Sequence, residues 1–276
     1  MNKRHRPQIL LTNDDGINSP GIWAAAEALS KLGFVTLAAP RDQASSTGRS
    51  MPLTSDGQIL PTTMRIGNQD WEVYAIGGTP AQVVLHTVLE IMPQKPDLVV
   101  SGINYGENLG NSITSSGTIG AALEGASSGV PSMAVSLQLR DITEFASYSS
   151  AVDFSTAAYF TYYFAKVLLE KKMPGDVDVL KIDVPYDATP ETPWKVTRQS
   201  RDRYFIPILE RDGTWKDRGH IGGVVDPQRM DKEPGTDTQV MVFERKVAVT
   251  PLSLDLTSRV DFDHLSKLLG SVETGS

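Results

Sequence analysis

Short apolar runs alternate with helical patterns through the first two thirds of the chain. The run Gln8 to Thr12 is apolar and ends at an acidic turn, which predicts a buried strand. From Pro20 onward, hydrophobic residues recur at helical spacing until Gly33, and the run Phe34 to Ala39 predicts a second strand. Strands and helices that alternate in this way are typical of a parallel sheet with helices on both faces.

The same alternation returns further along the chain. The later pattern predicts extra extended segments or a hairpin within 51–76. It also predicts helices over 81–92, 117–127 and 151–169, and strands over 97–101, 132–137 and 177–184. Beyond Pro185, prolines, charged turns and isolated hydrophobic runs replace the regular alternation. We therefore expect one α/β domain with an extended arm, which has one or two strands within 240–251 and a terminal helix over 260–269.

Composition narrows the class of protein. The chain has 276 residues, of which 40% are hydrophobic and 21% are charged, as in ordinary globular proteins. A formal net charge of -7 without any basic block argues against long nucleic acids as partners. There is no cysteine, which excludes disulfides, thiol catalysis and thiolate zinc sites. The basic start is followed by too short an apolar run for a signal peptide, so we expect a cytoplasmic protein without a membrane partner.

Polar residues cluster where the predicted strands end. One cluster, Thr12 to Gly16, follows the first strand, a second lies within Arg41 to Ser50, and a third lies within Ser101 to Thr118. In an open parallel sheet, ligands bind beyond the carboxyl ends of the strands. These three loops are therefore the candidate site.

Asp14 and Asp15 are adjacent, so their carboxylates can converge only where the strand has given way to a turn, which Gly16 permits. Two carboxylates about 4 Å apart repel by roughly 4 kcal/mol at an effective dielectric near 20. A divalent cation would turn that repulsion into attraction. The alternative is that one Asp caps the helix near Pro20. The nearby donors are all oxygens, which favours Mg²⁺ or Mn²⁺ over zinc.

The segment Ser116-Gly117-Thr118 stands directly before a helix rich in small residues. Unpaired N–H groups and the helix dipole at such a position can bind a phosphate. The alternative is an ordinary Ser or Thr N-cap, which this motif alone favours. The preceding loop, 101–110, is neither a dinucleotide-binding fingerprint nor a Walker sequence.

These segments resemble the SurE (survival protein E) family of 5'/3'-nucleotidases. The residues that carry the resemblance are 9–16, 39–48, 78–80, 99–110, 116–118, 197–201 and 249–252. They span nearly the whole chain in the expected order. The resemblance implies a metal-dependent phosphatase that hydrolyses nucleoside 5'-monophosphates, and it leaves action on 3'-monophosphates open.

The resemblance also assigns roles to particular residues. It implies one divalent cation per subunit, Mg²⁺ or Mn²⁺, held by Asp14, Asp15, Ser45 and Asn104. The phosphate would be surrounded by Asn108, Ser116, Gly117 and Thr118. Asp14 and Asp15 would be the catalytic residues. The implied architecture is a single domain, 1–276, with a Rossmann-like core over 1–185 and an oligomerisation arm over 186–276, which a homodimer or homotetramer exchanges between subunits.

Two positions depart from the family pattern. The strand Leu180-Lys181-Ile182-Asp183-Val184 stands where an Asn-rich strand is expected, and Ser115 stands where an aromatic residue or His is usual. Both departures lie outside the implied metal ligands. They bear on substrate preference or packing.

The sequence is compatible with two nucleophiles, and two other classes of protein are alternatives to a phosphatase. Water is the favoured nucleophile, but direct attack by Asp14 or Asp15 stays open, because carboxylates act as nucleophiles in phosphoryl transfer. The same loops would also suit a nucleotide- or anion-binding module without catalysis. A Rossmann oxidoreductase is disfavoured, since the turn after the first strand is acidic where a pyrophosphate needs glycines.

Overall fold

The computed structural model describes residues 6–140, 152–226 and 228–270. The strands in these residues are β1 (Gln8–Thr12), β2 (Phe34–Pro40), β3 (Ile59–Ile66), β4 (Gln69–Ile76), β5 (Leu98–Tyr105), β6 (Ser132–Leu137), β7 (Val179–Val184), β8 (Trp194–Val196), β9 (Phe205–Glu210), β10 (His220–Val225) and β11 (Val247–Leu252). The α-helices are α1 (Pro20–Leu29), α2 (Pro80–His86), α3 (Gly117–Ser127), α4 (Ser155–Glu170) and α5 (Phe262–Leu268). In this described part of the chain, no helix has the length and apolar composition needed to cross a membrane.

The main sheet has nine strands in the order β3-β4-β2-β1-β5-β6-β7-β11-β8. The six strands from β4 to β7 in that order are mutually parallel, whereas β3, β11 and β8 run the opposite way. The chain moves from β1 to β2 on one side and later returns to β5 on the other. The strand order therefore reverses between β1 and β5, and such a switch point is where open α/β sheets bind ligands.

Helices cover both faces of this sheet. On one face, Ile9 and Leu11 of β1 pack in the core cluster that also contains the buried residues of α1 and α4. On the other face, Leu10 packs with Val84 of α2 and Ala121 of α3. An interior strand that is buried on both faces has to be apolar at consecutive positions, as β1 is. The predicted α/β fold class is confirmed.

Some element boundaries differ from the sequence predictions. The strand predicted over 97–101 continues to Tyr105, because Asn104 and Tyr105 pair with β6 after a register shift. Residues Gln239–Phe243 form a π-helical turn, so the strand predicted within 240–251 is limited to β11. An apolar run this short does not distinguish a strand from a buried helical turn. The predicted helix over 151–169 begins at Ser155, and residue 151 lies outside the described residues.

The chain after β7 divides into two parts. β11 and β8 return to the main sheet beside β7, whereas β9 and β10 form a separate antiparallel hairpin. The hairpin and its turn expose Leu209, Trp215 and Ile221, and no residue of α5 is buried. Exposed apolar residues of this size are typical of surfaces that another chain covers. The exchange of the arm between subunits stays a prediction.

Candidate active site

The candidate site begins at the turn that follows β1. The strand ends at Thr12, and Asp14 and Asp15 lie just beyond it. The Asn13 side chain closes the turn, since its Nδ2 donates to the Gly16 carbonyl oxygen at 3.0 Å and its Oδ1 accepts from the Gly16 N–H at 3.1 Å. Gly16 has a φ of 94°, which residues with a side chain rarely adopt. The turn therefore holds both carboxylates outside the regular strand, as the sequence predicts.

Asp14 contacts the N-terminus of α3. Its Oδ1 accepts a hydrogen bond from the Thr118 hydroxyl at 2.5 Å, and the backbone N–H groups of Gly117 and Thr118 also donate to the carboxylate. A Cβ on Gly117 would lie 2.7 Å from the Cβ of Asp14, so the close approach requires glycine. Burial raises the pKa of Asp14, and these hydrogen bonds oppose the rise. The helix terminus thus stabilises the charged form of a buried carboxylate.

Asp15 faces β5. Its Oδ2 accepts a hydrogen bond from the Tyr105 N–H at 3.1 Å, and the residue is only 2% exposed. Burial raises the pKa of Asp15 well above its ordinary value of 3.8, and the negative charge of Asp14 raises it further. Both effects disfavour the ionised form of a carboxylate that lies away from water and beside another carboxylate. A cation between the two would offset both effects.

Ser45 lies on the loop after β2, which docks against Asp14 and α3. The Ala44 N–H donates to the main-chain oxygen of Asp14 at 2.8 Å, one residue before Ser45. Further along the loop, a Cβ on Gly120 of α3 would lie 2.2 Å from the carbonyl oxygen of Gly48. Gly120 is therefore needed for close packing of the loop on the helix. This packing explains why a glycine is present in the helix although it destabilises the helix by about 1 kcal/mol relative to Ala.

Asn104 lies at the end of β5, next to the residue that binds Asp15. Its Nδ2 donates to the carbonyl oxygen of Gly106 at 2.7 Å and to that of Tyr105 at 3.3 Å. With the amide nitrogen engaged in this way, Oδ1 is the atom that Asn104 would offer to a cation. The sequence places Asn104 in a loop, but the structure places it in the irregular last part of a strand.

The oxygen donors at this place suit a hard cation. Asp14, Asp15, Ser45 and Asn104 supply two carboxylates, a hydroxyl and an amide oxygen, the donor types of Mg²⁺ and Mn²⁺ sites. Among the described residues, no group of three or more His, Cys, Asp or Glu side chains is arranged to bind a metal. Binding here would therefore depend on the two neutral ligands. The assignment of these four ligands stays a prediction.

The residues predicted to surround the phosphate have different contacts in the structure. Ser116 is the N-cap of α3, since its Oγ accepts from the Ile119 N–H at 3.2 Å. This N-cap role is the one that the Ser116-Gly117-Thr118 motif alone favoured. Gly117 and Thr118 lie against Asp14, one of the predicted metal ligands. The contacts of these three residues with a phosphate stay a prediction.

Asn108 lies on the loop after β5, above the ends of β6 and β7. Its Nδ2 donates to the Ser136 hydroxyl at 2.8 Å, and its backbone N–H donates to Asp183 Oδ1 at 2.7 Å. An amide nitrogen carries two protons, so one hydrogen bond to Ser136 leaves a second proton that can be donated to a ligand.

Sequence reasoning missed a buried ion cluster beneath this loop. Lys181 and Asp183 of β7 meet Asp237, and all three are fully buried. The signal in the sequence was the presence of two charged residues in an otherwise apolar strand. Asp237 carried no such signal, because it reaches the cluster from a segment more than fifty residues away along the chain.

Replacing Asp15 by Asn is expected to stabilise the metal-free protein at neutral pH by about 1 kcal/mol, within the range of single stabilising substitutions. Below pH 3.8, Asp15 is protonated in both the folded and the unfolded state, so its burial carries no electrostatic penalty. As the pH rises above that value, Asp15 loses its proton in the unfolded state before it does so in the folded state. The free energy of unfolding therefore falls until the pH exceeds the raised pKa of Asp15 in the folded state. The gain from Asn should therefore grow from acid to neutral pH.

Thermal melting in the presence of a chelator, over a series of pH values, measures this gain. Asp70→Asn is the matched control, because the Asp70 side chain is 64% exposed in an ion pair on β4. A gain for Asp15→Asn that does not change with pH, or that Asp70→Asn shares, would contradict the argument.

Fold and geometry together define an α/β protein with a mostly parallel sheet and an acidic, oxygen-rich site at its switch point. Comparison with known proteins agrees with this class. The family model described as Survival protein SurE matches residues 9–205. The chain belongs to the SurE family.

Individual relatives extend the similarity to nearly the full chain. The 5'-nucleotidase SurE of Thermococcus kodakarensis is 43% identical over 265 residues, which cover 95% of this chain and 98% of that protein. The 5'-nucleotidase SurE of Methanosarcina acetivorans is 38% identical, with coverage of 98% and 100%. The crystal structure of the SurE protein from Aquifex aeolicus matches with a TM-score of 0.73 and 33% identity, covering 95% of this chain and 100% of that one.

Proposed function

We propose that this chain is a divalent-metal-dependent phosphatase that hydrolyses nucleoside 5'-monophosphates to nucleoside and phosphate. The observation that carries the proposal is the pair of buried carboxylates, Asp14 and Asp15, at the end of β1, with the N-terminus of α3 directed at Asp14. The relatives that bear the name 5'-nucleotidase SurE support the substrate class.

One Mg²⁺ or Mn²⁺ ion would be held by oxygen atoms of four residues, Asp14, Asp15, Ser45 and Asn104. When bound, this ion supplies Lewis-acid chemistry that withdraws charge from a phosphoryl oxygen. The protein contributes the position of the ligands. Asp14 is held by α3, and Asp15 is held by the backbone of β5, so the protein fixes the position of both carboxylates before an ion binds.

The remaining phosphoryl oxygens would be held by the protein alone. Asn108 can donate its second amide proton to one of them while the first stays on Ser136. The first turn of α3, which lies against Asp14, would add the positive end of its helix dipole. Holding the phosphate in one orientation favours in-line attack, because phosphoryl transfer depends mainly on positioning and charge stabilisation.

Water is proposed as the nucleophile. The Asp14 carboxylate accepts hydrogen bonds from the Thr118 hydroxyl and from two backbone N–H groups. These contacts stabilise the carboxylate where it lies, which suits a ligand better than a group that has to form a bond to phosphorus. Direct attack by an Asp would leave a phosphorylated enzyme, which rapid quenching and mass measurement would detect.

The assay for this function is release of phosphate from a panel of nucleoside 5'- and 3'-monophosphates. Turnover is expected with Mg²⁺ or Mn²⁺, it should stop with a chelator, and it should return when the metal is restored. A cyclic nucleotide, which is a phosphodiester, is the matched control and should not be hydrolysed. Binding of the monophosphates without turnover in either metal would favour the non-catalytic nucleotide-binding module.

A further inference from the structure

A fully buried lysine lies beneath the loop that carries Asn108. Lys181 and Asp183 are two residues apart on β7, so they point to the same face of the sheet, and both are 0% exposed. The Lys181 Nζ lies 2.5 Å from Asp183 Oδ2 and 3.1 Å from Asp237 Oδ2. Buried charges are unfavourable unless they are paired and hydrogen-bonded, so a cluster of this kind requires a reason.

Each member of the cluster also binds the backbone of the loop. The Lys181 Nζ donates to the carbonyl oxygen of Asn108 at 2.7 Å, and Asp183 Oδ1 accepts from the Asn108 N–H at 2.7 Å. Asp237 Oδ2 accepts from the Gly110 N–H at 3.2 Å. Both main-chain polar groups of Asn108 are therefore held by buried side chains of opposite charge, through hydrogen bonds of the stronger, charge-assisted kind.

The cluster is itself anchored on two sides. Asp183 pairs in register with Ser136 of β6, whose hydroxyl accepts the Asn108 side-chain amide at 2.8 Å. Asp237 Oδ1 accepts from the Ser200 N–H at 2.9 Å, in the segment that follows β8. Burial alone lowers the pKa of Lys181, but the two carboxylates raise it above its ordinary value, so the lysine stays charged.

We propose that Lys181, Asp183 and Asp237 are positioning residues that hold Asn108 in the orientation in which it binds the substrate phosphate. The inference rests on the proposed function, which gives Asn108 its contact with phosphate. A rigid main chain leaves the Asn108 amide few orientations, and so less entropy is lost when a phosphate binds. Because all three side chains are fully buried, none of them would touch the substrate itself.

The test compares two charge-balanced double variants. Lys181→Met with Asp183→Leu removes one charge of each sign and both contacts with the Asn108 backbone. Lys181→Gln with Asp183→Asn removes the same charges but keeps a donor and an acceptor in place. The first pair is expected to weaken binding of inorganic phosphate by about tenfold, the effect of losing the one hydrogen bond from the Asn108 side chain to the phosphate. The second pair is expected to restore most of that affinity.

Calorimetric titration of inorganic phosphate into each protein, in the presence of Mg²⁺, gives the affinity directly. In turnover, KM should rise with the phosphate dissociation constant while kcat changes little, because Asn108 contacts the phosphate in the substrate as well as in the transition state. The control is Thr197→Val with Thr250→Val, which removes a buried hydroxyl pair 2.8 Å apart beside β7 and should leave phosphate affinity unchanged.

Several results would overturn the proposal. Unchanged phosphate affinity in the Met/Leu variant would do so. An equal loss in both double variants, or the same loss in the Thr197/Thr250 control, would also overturn it. Should the Met/Leu variant fail to fold, Lys181→Met with Asp183→Asn releases only the Asn108 carbonyl oxygen. Unchanged phosphate affinity in that variant would likewise overturn the proposal.

The two proposals can fail separately. Phosphate binding needs no turnover, so a protein that binds phosphate but hydrolyses no nucleotide would refute the proposed function while the variants still test the positioning role. An unaltered protein that binds no phosphate would overturn the positioning role, and the hydrolysis assay would then decide on the function alone.

Discussion

Replacement of either Asp14 or Asp15 by Asn is expected to lower kcat/KM for nucleoside monophosphates by at least about 10³-fold, comparable to the loss of a main electrostatic contact in other enzymes. Asparagine keeps the size of the side chain and one oxygen, so the hydrogen bonds from Thr118 and Tyr105 can persist. What is lost is the negative charge that a divalent cation requires. The fold should therefore remain intact while metal affinity falls.

Phosphate release in Mn²⁺, calorimetric titration of Mn²⁺ and circular dichroism separate these effects. The matched control is again Asp70→Asn, an exposed Asp on β4 that should keep full activity and full metal affinity. Full activity in the Asp14 variant or the Asp15 variant would show that the residue in question is not essential. Loss of activity with unchanged Mn²⁺ affinity would argue for a direct chemical role in place of metal binding.

Gly117→Ala is expected to lower activity by about 10²-fold, the effect of misplacing a catalytic group by roughly 1 Å. The added methyl group would lie 2.7 Å from the Cβ of Asp14, 2.9 Å from its Oδ2 and 3.1 Å from the carbonyl oxygen of Ala44. All three atoms belong to the core of the site, so relief of the clash has to move Asp14, the loop that carries Ser45, or the end of α3.

Helix propensity makes this variant informative. Alanine is favoured over glycine in helices by about 1 kcal/mol, so a weaker intrinsic helix cannot explain a loss of activity. Gly175→Ala is the control, because a methyl group there meets no atom within 4 Å. Activity near that of the unaltered protein in Gly117→Ala would show that the close approach of α3 to Asp14 is not required.

The elements that sequence predicted best have strong signals at both ends. β6 and α3 have the predicted bounds, since a continuous apolar run and a Ser-Gly start define them. The turn that holds Asp14 and Asp15 was predictable for a related reason, because an apolar strand stops at an acidic pair and a glycine. At these positions the local sequence was enough to predict the structure.

Contacts between residues far apart in the sequence could not be predicted in the same way. The extension of β5 to Tyr105 depends on pairing with β6, and the polar and glycine residues of this segment indicated a loop instead. Ser45 could not be distinguished from its neighbouring serines by chemistry, and only the family resemblance selected it. The Lys181 cluster depends on Asp237, and no local pattern connects the two residues. Pairings of this kind are set by tertiary packing, which a one-dimensional pattern does not contain.

The position of β7 inside the sheet has a consequence for biosynthesis. β11 covers the outer edge of β7 and Asp237 completes the charge pairing of Lys181, yet both lie more than fifty residues further along the chain than β7. A nascent chain that ends near residue 185 would carry a strand with an unpaired edge and a lysine that lacks one of its two carboxylates. The native sheet can therefore be completed only after β11 has been synthesised.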